Sequence, residues 1–539
     1  MNKINPIKFI TVSLFSMVML LTSCNDFDKL NQNPDAVNSQ SVNPGNQLTY
    51  IQASLSGSRY EQWRTNAIYT MGFSQSITGS WSFSHGGYYI KNDSYMDGLW
   101  RAEYPREIKE CVDIIGNTEG DESKININAI ARIMKVFIFH RLTDLWGDIP
   151  YFDAGQAYYK GIYAARYDKQ EDIYNDFFQE LDLATNTLSA DKDVITGDLF
   201  FDGDITQWQK FANSLRLRLA LRVWKADPEL SKSEAQKAVA ATGGVMTSIS
   251  DDVVLKHAEV SFHHGSYLDL RGNGLSQVFN VGSESAYLTA PMVNYMEAIN
   301  DPKLLMLGRV YSKQILRYGD ISKLVDLTDE ALAIDSIMGM KMGPSYDFSL
   351  NPFVLTKDGE SYEMTNINAP LQLAEEFRRL EAPYTHFTYA EVEFLIAEAI
   401  TRGYLSGNAD EHFKNGLQAS INRLISIYEC ESPSETAISD FVSGYTLSAD
   451  NETALEQINS QLWVNNLLNG PESFANWRRS GYPKLKFIQN TANESTIIPR
   501  RLIYPIEEQS VNHANWEEAV KRFPNGIDSW ENRVWWDKE

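Results

Sequence analysis

Catalytic chemistry usually leaves a short signature in a sequence, and three common signatures are missing from this chain. Its 539 residues contain no G-x-x-x-x-G-K-[ST] phosphate loop, no G-x-S-x-G nucleophile turn and no H-E-x-x-H zinc motif. His263 and His264 are adjacent, but neighbouring side chains point in different directions and no third ligand is evident. We interpret them as a loop pair, and the sequence points to no catalytic residue, no metal and no cofactor.

Paired carboxylates could still hydrolyse a glycoside, so the acidic stretch around Glu391 needs a test of spacing. Glu391 and Glu393 would lie on nearly opposite faces of a helix, whereas Glu391 and Glu398 share a face about 10 Å apart along the axis. Retaining glycosidases need roughly 5–5.5 Å between carboxylates, and inverting ones roughly 6.5–9.5 Å. Side-chain lean closes part of that gap, so the spacing disfavours hydrolysis without excluding it and favours structural ion pairing.

A segment rich in Gly, Ser and aromatic residues, between positions 78 and 92, offers better chemistry for binding. Its rings are Trp81, Phe83, Tyr88 and Tyr89, beside His85, Lys91 and Asn92. A flat ring stacks on the apolar face of a sugar, while amides and charges bond the hydroxyl groups. We predict Trp81, Tyr88 and Tyr89 as ligand contacts; the alternative is that these rings fix the loop onto the helices.

A second region without helical periodicity runs from about 247 to 368, with one short predicted helix near 291–299. Long irregular segments inside compact proteins are usually functional or disordered, and the aromatic content argues against disorder. Arg271, Asn273 and Tyr287 are the residues that we expect to supply the polar half of the ligand site.

Composition narrows the function classes further. The chain is 43% hydrophobic and 22% charged, which is ordinary for a globular protein and excludes a wholly disordered one. It carries 71 acidic and 48 basic residues, a formal net charge of −23, so nucleic acid is an unsuitable partner. Three cysteines rule out a disulfide scaffold; Cys111 and Cys430 lie in helical patterns as expected buried thiols, with a disulfide between them left open.

The N-terminus resembles an export signal. Lys3 and Lys8 precede an apolar run over 9–21, which is too short to span a membrane, and then comes Leu21-Thr-Ser-Cys24, similar to a bacterial lipobox. We predict a signal peptide over 1–23, a lipidated Cys24, and a flexible tether over 24–46. A plain signal peptide with an incidental cysteine is the alternative. The acidic residues just after Cys24 resemble a surface-export signal. The alternative is that they are part of a solvated tether.

Helical periodicity dominates the rest of the chain. Apolar residues recur every three or four positions over 128–146, 168–188 and 205–224, and Asp204 is placed to cap the third of these helices. Further helices are predicted over 49–77, 97–115, 388–403, 409–428 and 452–468. Because the predicted helices are neighbours with short joins, we expect stacked helical hairpins in a single domain over 47–539.

Several segments in fixed order resemble one family. They begin with Arg141-Leu-Thr-Asp144-Leu-Trp146-Gly-Asp-Ile-Pro-Tyr151, Phe211-Ala-Asn-Ser-Leu-Arg216-Leu-Arg218-Leu-Ala220 and Phe387-Thr-Tyr-Ala-Glu391-Val-Glu-Phe-Leu-Ile-Ala-Glu398-Ala399. They end with Ala475-Asn-Trp477-Arg-Arg-Ser-Gly-Tyr-Pro483, Ile498-Pro-Arg-Arg-Leu-Ile-Tyr-Pro505 and Val534-Trp-Trp-Asp-Lys538. With the lipobox, this set resembles the SusD/RagB-like outer-membrane lipoproteins, in the SusD-like branch that closes with Trp-Trp-Asp-Lys.

The resemblance implies a mostly α-helical fold, with tetratricopeptide-like hairpins as scaffold and long irregular loops that carry the ligand site. It implies a non-catalytic protein that captures oligosaccharides, or in some members peptides, at the cell surface. Such proteins act as the lid of a TonB-dependent transporter barrel. The matched motifs are scaffold motifs, so Trp146, Trp477 and Trp535 are expected in the core or at the partner. A peptide-capturing member and a surface lipoprotein glycoside hydrolase remain the alternatives.

Overall fold

The computed structural model describes residues 42–79, 85–260, 269–280, 286–315, 324–342 and 352–539. The predicted signal peptide, Cys24 and nearly all of the tether lie outside these residues, as do Trp81, Phe83 and the histidine pair. Pro44–Glu539 form one compact unit. Within the described ranges, no helix is both long enough and apolar enough to cross a membrane.

The chain is mostly α-helical, as predicted. The helices of eight or more residues are α1 Pro44–Gly57, α2 Lys109–Thr118, α3 Ile125–Trp146, α4 Gln170–Thr187, α5 Ile205–Arg222, α6 Pro228–Ala240, α7 Ala290–Ala298, α8 Tyr389–Thr401, α9 Ala409–Ser426, α10 Glu435–Gly444, α11 Asn451–Asn465, α12 Gly470–Ser480 and α13 His513–Val520. Shorter α-helical turns are Arg59–Glu61, Met71–Phe73, Asp93–Met96, Gly98–Glu103, Ala157–Lys160, Gly274–Asn280, Leu304–Leu307, Thr328–Ala333 and Glu508–Val511. Two π-helices, Gln62–Thr70 and Tyr104–Ile108, and three 3₁₀ turns, Ile249–Asp251, Glu375–Phe377 and Pro524–Gly526, complete the helical elements among the described residues.

The predicted apolar stripes form the core between these helices. Phe137 on α3 is 2% exposed and Trp146 at its end is fully buried. The Asp204 carboxylate caps α5 by accepting hydrogen bonds from the backbone N–H groups of Thr206 and Gln207. Sequential helices pack as neighbours, α2 on α3, α5 on α6 and α8 on α9. These pairs are the predicted tetratricopeptide-like hairpins.

Short antiparallel strands, which the sequence did not predict, lie within the irregular regions and between helices. They are β1 Ile77–Thr78, β2 Ile149–Pro150, β3 Tyr167–Asp168, β4 Val253–Leu255, β5 Tyr287–Leu288, β6 Gly308–Arg309, β7 Phe353–Lys357, β8 Glu360–Met364, β9 Gln372–Leu373 and β10 Tyr384–Phe387. One sheet has the order β1-β5-β9-β6, and the strand pairs β10-β4, β2-β3 and β7-β8 stand apart from it. Strands of two residues are too short to show an alternating pattern.

The single helix predicted over 49–77 is interrupted in the structure. Helix α1 ends at Gly57, and the chain continues through Arg59–Glu61 into the first π-helix. A side chain at position 57 would collide with the backbone of a distant segment, because a Cβ atom there would lie 2.6 Å from the carbonyl oxygen of Leu270. Glycine therefore allows a contact that fixes where the helix breaks, and the break opens the surface described next.

Candidate ligand-binding site

A surface cleft of about 510 Å³ lies where the π-helix Gln62–Thr70 begins. One wall consists of residues between Ser58 and Arg64, and the other of Arg101, Ala102 and Arg106. We call it the aromatic–arginine cleft. Its volume falls within the range of about 300–1,000 Å³ that is usual for small-ligand sites. π-Helical segments are rare and often occur at functional sites.

Aromatic rings line the first wall and continue toward the aromatic segment of the sequence. Trp63 lies 5.8 Å from Tyr95 between ring centroids, at an interplanar angle of 39°. Tyr95 in turn lies 5.5 Å from the ring of His85, the first described residue after 80–84. Trp63 and Tyr95 are half-buried. The rings thus form a path from the cleft to His85.

Arg64 lies among these rings. Its guanidinium carbon is 3.7 Å from the Tyr60 ring centroid, 4.9 Å from that of Tyr95 and 5.9 Å from that of Trp63. Its Nη1 donates to the Tyr60 hydroxyl and to the Ser94 carbonyl oxygen, the latter at 3.1 Å. Burial raises the pKa of the Tyr60 phenol, an effect that the charge of Arg64 partly offsets. Tyr60 therefore stays protonated at neutral pH.

The two arginines of the opposite wall have carboxylate partners. Arg101 pairs with Asp97 at 2.5 Å and with Glu507. Arg106 pairs with Glu61, which itself lines the first wall. Burial raises the pKa of Glu61, and the charge of Arg106 offsets this only in part. The pair between Arg106 and Glu61 joins the two walls of the cleft.

Both irregular regions of the sequence converge close to this cleft. Strand β1 immediately precedes the aromatic segment and pairs with β5, so that Thr78 lies opposite Tyr287. Leu270 contacts Gly57, next to the lining residue Ser58. The two regions are therefore paired with each other at β1 and β5, and the second also approaches the cleft at Leu270; that they form one ligand site stays a prediction.

The predicted aromatic contacts have different environments. Trp81 lies outside the described residues and stays a prediction. Tyr88 is half-buried, and its carbonyl oxygen accepts a hydrogen bond from Asn493 Nδ2 at 2.8 Å. Tyr89 is fully buried and stacks on Phe487 at 5.0 Å, and burial raises its pKa to about 12. This corrects the expectation for Tyr89, because a fully buried ring has no face to offer to a ligand.

The turn that carries Tyr89 is held against the π-helix rather than projecting from it. A Cβ atom at Gly86 would lie 2.0 Å from the carbonyl oxygen of Ile68. The glycine is therefore required for close packing, which pulls Tyr89 into the core.

Two of the three predicted polar contacts have internal roles. Asn273 is 3% exposed; its Oδ1 accepts from the N–H groups of Leu275 and Ser276, and its Nδ2 donates to the Ala382 carbonyl at 2.8 Å. Tyr287 is 2% exposed and donates to the Ile367 carbonyl at 2.9 Å. Both side chains are occupied by the fold, which corrects the expectation that they contact ligand.

Arg271 is the predicted polar residue that remains at the surface. Its side chain is 75% exposed and pairs with Asp269 at 2.6 Å. Its carbonyl oxygen lies 3.2 Å from His257 Nδ1, and His257 Nε2 lies 3.0 Å from Ser56 Oγ. Arg271 is thereby linked to the end of α1, close to the cleft, and stays a prediction as a ligand contact.

Sequence reasoning missed Tyr60, Trp63 and Arg64, because they lie inside a predicted helix where rings count as core. A signal was present. Arg59 precedes Trp63 by four residues, and Tyr60 precedes Arg64 by four, a spacing that places each cation beside a ring on a helical surface.

The acidic residues weighed as a hydrolytic pair are structural. Glu391 makes a bidentate ion pair with Arg218 at 2.6 and 2.8 Å, and Glu398 makes one with Arg479 at 2.7 and 2.8 Å. All four side chains are buried. Burial alone would raise the pKa of Glu398, but Arg479 and Arg402 outweigh it and hold the pKa at about 2. Burial raises the pKa of Glu391, but both of its oxygens are bound by the buried Arg218, so it acts like Glu398 as an internal ion-pair partner.

Trp146, Trp477 and the two cysteines are also part of the scaffold, whereas Trp535 is half-buried. Trp146 Nε1 donates to the Ile503 carbonyl at 2.8 Å, and Trp477 is 7% exposed. Cys111 and Cys430 are buried free thiols, which settles the question of a disulfide between them. No group of three or more potential metal-ligating side chains occurs within the described ranges.

Comparison with known proteins places this architecture in a family. A family model described as SusD-like, "Starch-binding associating with outer membrane", matches residues 36–505. The chain belongs to the SusD-like family. No curated protein matches it.

Solved structures of SusD-like proteins share the fold of this SusD-like chain. One, described as a chitin-binding protein, is 34% identical with a TM-score of 0.77, covering 92% of this chain and 100% of its own. Another, described as Bacteroidetes AC2a SusD-like, is 31% identical with a TM-score of 0.80 and the same coverage. A chitin-binding SusD homolog from Flavobacterium johnsoniae is 21% identical, with a TM-score of 0.71 and coverage of 92% and 98%, and shows the fold alone.

Proposed function

We propose that this SusD-like chain is a non-catalytic, lipid-anchored glycan-binding protein of the outer membrane. It captures oligosaccharides and delivers them to a TonB-dependent transporter, whose lid it forms. The observation that carries the proposal is the half-buried ring path from Trp63 and Tyr95 to the aromatic segment, in a chain 34% identical to a chitin-binding protein. Aromatic side chains bind sugars by stacking on them, and this binding needs no catalytic group in the protein.

The membrane association is supported by two further observations. The family description names association with the outer membrane. The sequence offers Cys24 as a lipid attachment, followed by a stretch up to residue 46 that has the composition of a linker. A diacylated or triacylated cysteine holds a protein at a membrane, since each buried methylene contributes about 0.8 kcal/mol.

Within the site we assign stacking to Trp81, and further ligand contacts to Tyr88 and Arg271. Trp81 follows a glycine and a serine at a position where no helical pattern ties its ring to the core. Aromatic anchors of this kind are binding hot spots, and truncating one costs about 2 kcal/mol or more.

The test is calorimetric titration of the full-length protein in detergent against chito-oligosaccharides, malto-oligosaccharides and acidic oligosaccharides, with peptides as a comparison arm. Trp81→Ala should weaken saccharide affinity at least tenfold without changing the melting temperature. Tyr163→Ala is the matched control, because that ring is 87% exposed on a different loop.

Three outcomes would contradict the proposal. Saccharides that do not bind while peptides do would identify a peptide-capturing member. New reducing ends after incubation with a bound saccharide would identify a hydrolase. Unchanged affinity in well-folded Trp81→Ala would remove this ring from the site.

A further inference from the structure

The aromatic–arginine cleft has a charge opposite to that of the whole protein. Four of its nine lining residues are arginines, at positions 59, 64, 101 and 106, and one is a glutamate, Glu61. The chain as a whole carries a net charge of −23. A cluster of cations on so acidic a protein attracts anions locally, because clefts with low-dielectric walls focus the field of the charges that line them.

Carboxylates of the protein neutralise only part of this cluster. Arg101 is bound to Asp97 and Glu507, and Arg106 to Glu61. Arg64 differs: across the part of the chain that the structure describes, no carboxylate lies within ion-pair distance of it. Its hydrogen bonds go to a phenol and a backbone carbonyl, both uncharged.

The donors of Arg64 are also incompletely used. Nη1 holds the Tyr60 hydroxyl and the Ser94 carbonyl oxygen. Both hydrogen bonds of Arg64 to described residues come from Nη1, and Nε is buried without an acceptor among those residues. A guanidinium presents Nε and Nη2 as a planar fork that fits two oxygens of a carboxylate or a sulfate. The rings of Tyr60 and Tyr95 hold that fork in a fixed orientation.

We propose that the aromatic–arginine cleft selects acidic oligosaccharides. The oxyanion substituent of the sugar, a uronate carboxylate or a sulfate ester, accepts hydrogen bonds from Arg64, while the ring that carries it packs against Trp63. This rests on the proposed glycan-binding function and adds the substrate class to it. Neutral glycans would leave the Arg64 fork unpaired, and buried donors without acceptors are costly.

The test compares matched acidic and neutral ligands on the full-length protein in detergent. Oligogalacturonate is titrated beside its methyl ester, and a sulfated galactan oligosaccharide beside its desulfated form. In one of the two pairs, we expect the acidic ligand to bind at least tenfold more tightly than the neutral one. A preference for oligogalacturonate would identify a carboxylate as the oxyanion, and a preference for the sulfated galactan would identify a sulfate. The preference should fall as salt rises from 50 to 500 mM, because ions screen exposed charge.

Variants assign the preference to a residue. Arg64→Gln should remove it, whereas Arg64→Lys, which keeps the charge but loses the fork, should retain part of it. Arg166→Gln is the matched control: it removes one arginine charge at an exposed position outside the cleft, where Arg166 pairs with Asp153. We expect Arg166→Gln to keep the full preference.

The outcomes separate this inference from the function on which it rests. Equal affinity for acidic and neutral members of both pairs overturns the inference, yet leaves glycan capture standing if either binds. If the folded Arg64→Gln variant still prefers the acidic ligand, the role assigned to Arg64 is overturned. Absence of binding to every saccharide overturns both proposals. The ligand pairs need only the unaltered protein, so the inference stays testable even if Arg64→Gln does not fold.

Discussion

Replacing Glu472 with glutamine should destabilise the scaffold strongly, because this carboxylate, together with Glu391 and Asp144, balances two buried arginines. Arg222 Nη2 donates to both of its oxygens, at 2.5 and 2.6 Å, and Arg218 Nη1 lies 3.7 Å away. Arg222 is fully buried and Arg218 is 2% exposed. Removing one partner of a buried ion pair costs about 3–5 kcal/mol, since the other charge cannot return to water.

This cost translates into a measurable change in melting temperature. The entropy of unfolding is about 2.1 cal/mol/K per residue, so a unit of about 500 residues has about 1 kcal/mol/K. Glu472→Gln should therefore melt about 3–5 °C lower in a thermal scan at pH 7. Glu517→Gln is the matched control: its pair with Lys521 is exposed and contributes less than about 0.5 kcal/mol, so its melting temperature should change by less than about 1 °C.

The effect should also depend on pH in one direction. Burial alone would raise the pKa of Glu472, but Arg218 and Arg222 outweigh it and hold the pKa at about 2. A carboxyl whose pKa is lowered by folding stabilises the protein fully above its unfolded pKa, about 4.3, and loses that contribution as pH falls toward 2. The deficit of Glu472→Gln should stay constant from pH 7 to 5 and shrink below. An unchanged melting temperature at pH 7, or a deficit that grows on acidification, would refute this reasoning.

Three further changes test other parts of the molecule. Trp146→Ala removes a fully buried ring and should cost about 3–5 kcal/mol, measured by denaturant unfolding; a cost below 1 kcal/mol would show that the ring is not core. Asp204→Ala removes the α5 cap and should cost about 0.5–2 kcal/mol in the same assay, with Asp204→Asn close to the unaltered protein; equal losses in both would argue against capping. Cys24→Ala should move the protein from the membrane to the soluble fraction, and retention after a high-salt wash would count against lipid anchoring.

The helical scaffold was predictable because its signals are local. The apolar stripe of α3 and the N-cap of α5 each depend on about twenty consecutive residues. The break after Gly57 was not predictable, since its cause is contact with Leu270, more than two hundred residues away. Two-residue strands such as β1 and β5 take their conformation from their pairing partners. No local sequence pattern predicts them.

The candidate site was predictable only as a region. Composition located the two irregular segments, but burial is decided by tertiary packing. Tyr89 lies in a glycine-rich turn and is fully buried, whereas Trp63 lies in a helix and lines a cleft. Ring type and loop position therefore indicate where a ligand surface is, and the contacts of each backbone segment decide which rings reach it.

The last residues of the chain complete its centre, and this has a consequence for the order of folding. Trp536 Nε1 donates to Asp144 Oδ1 at 2.8 Å across 392 positions of sequence, and buried Asp537 pairs with Arg500. Such distant contacts form slowly, and a chain still being synthesised lacks them altogether. The surroundings of Asp144 are therefore complete only when a segment 392 positions away has been made and has packed against them. Folding of this part of the core depends on a late, long-range contact and not on the helices around Asp144 alone.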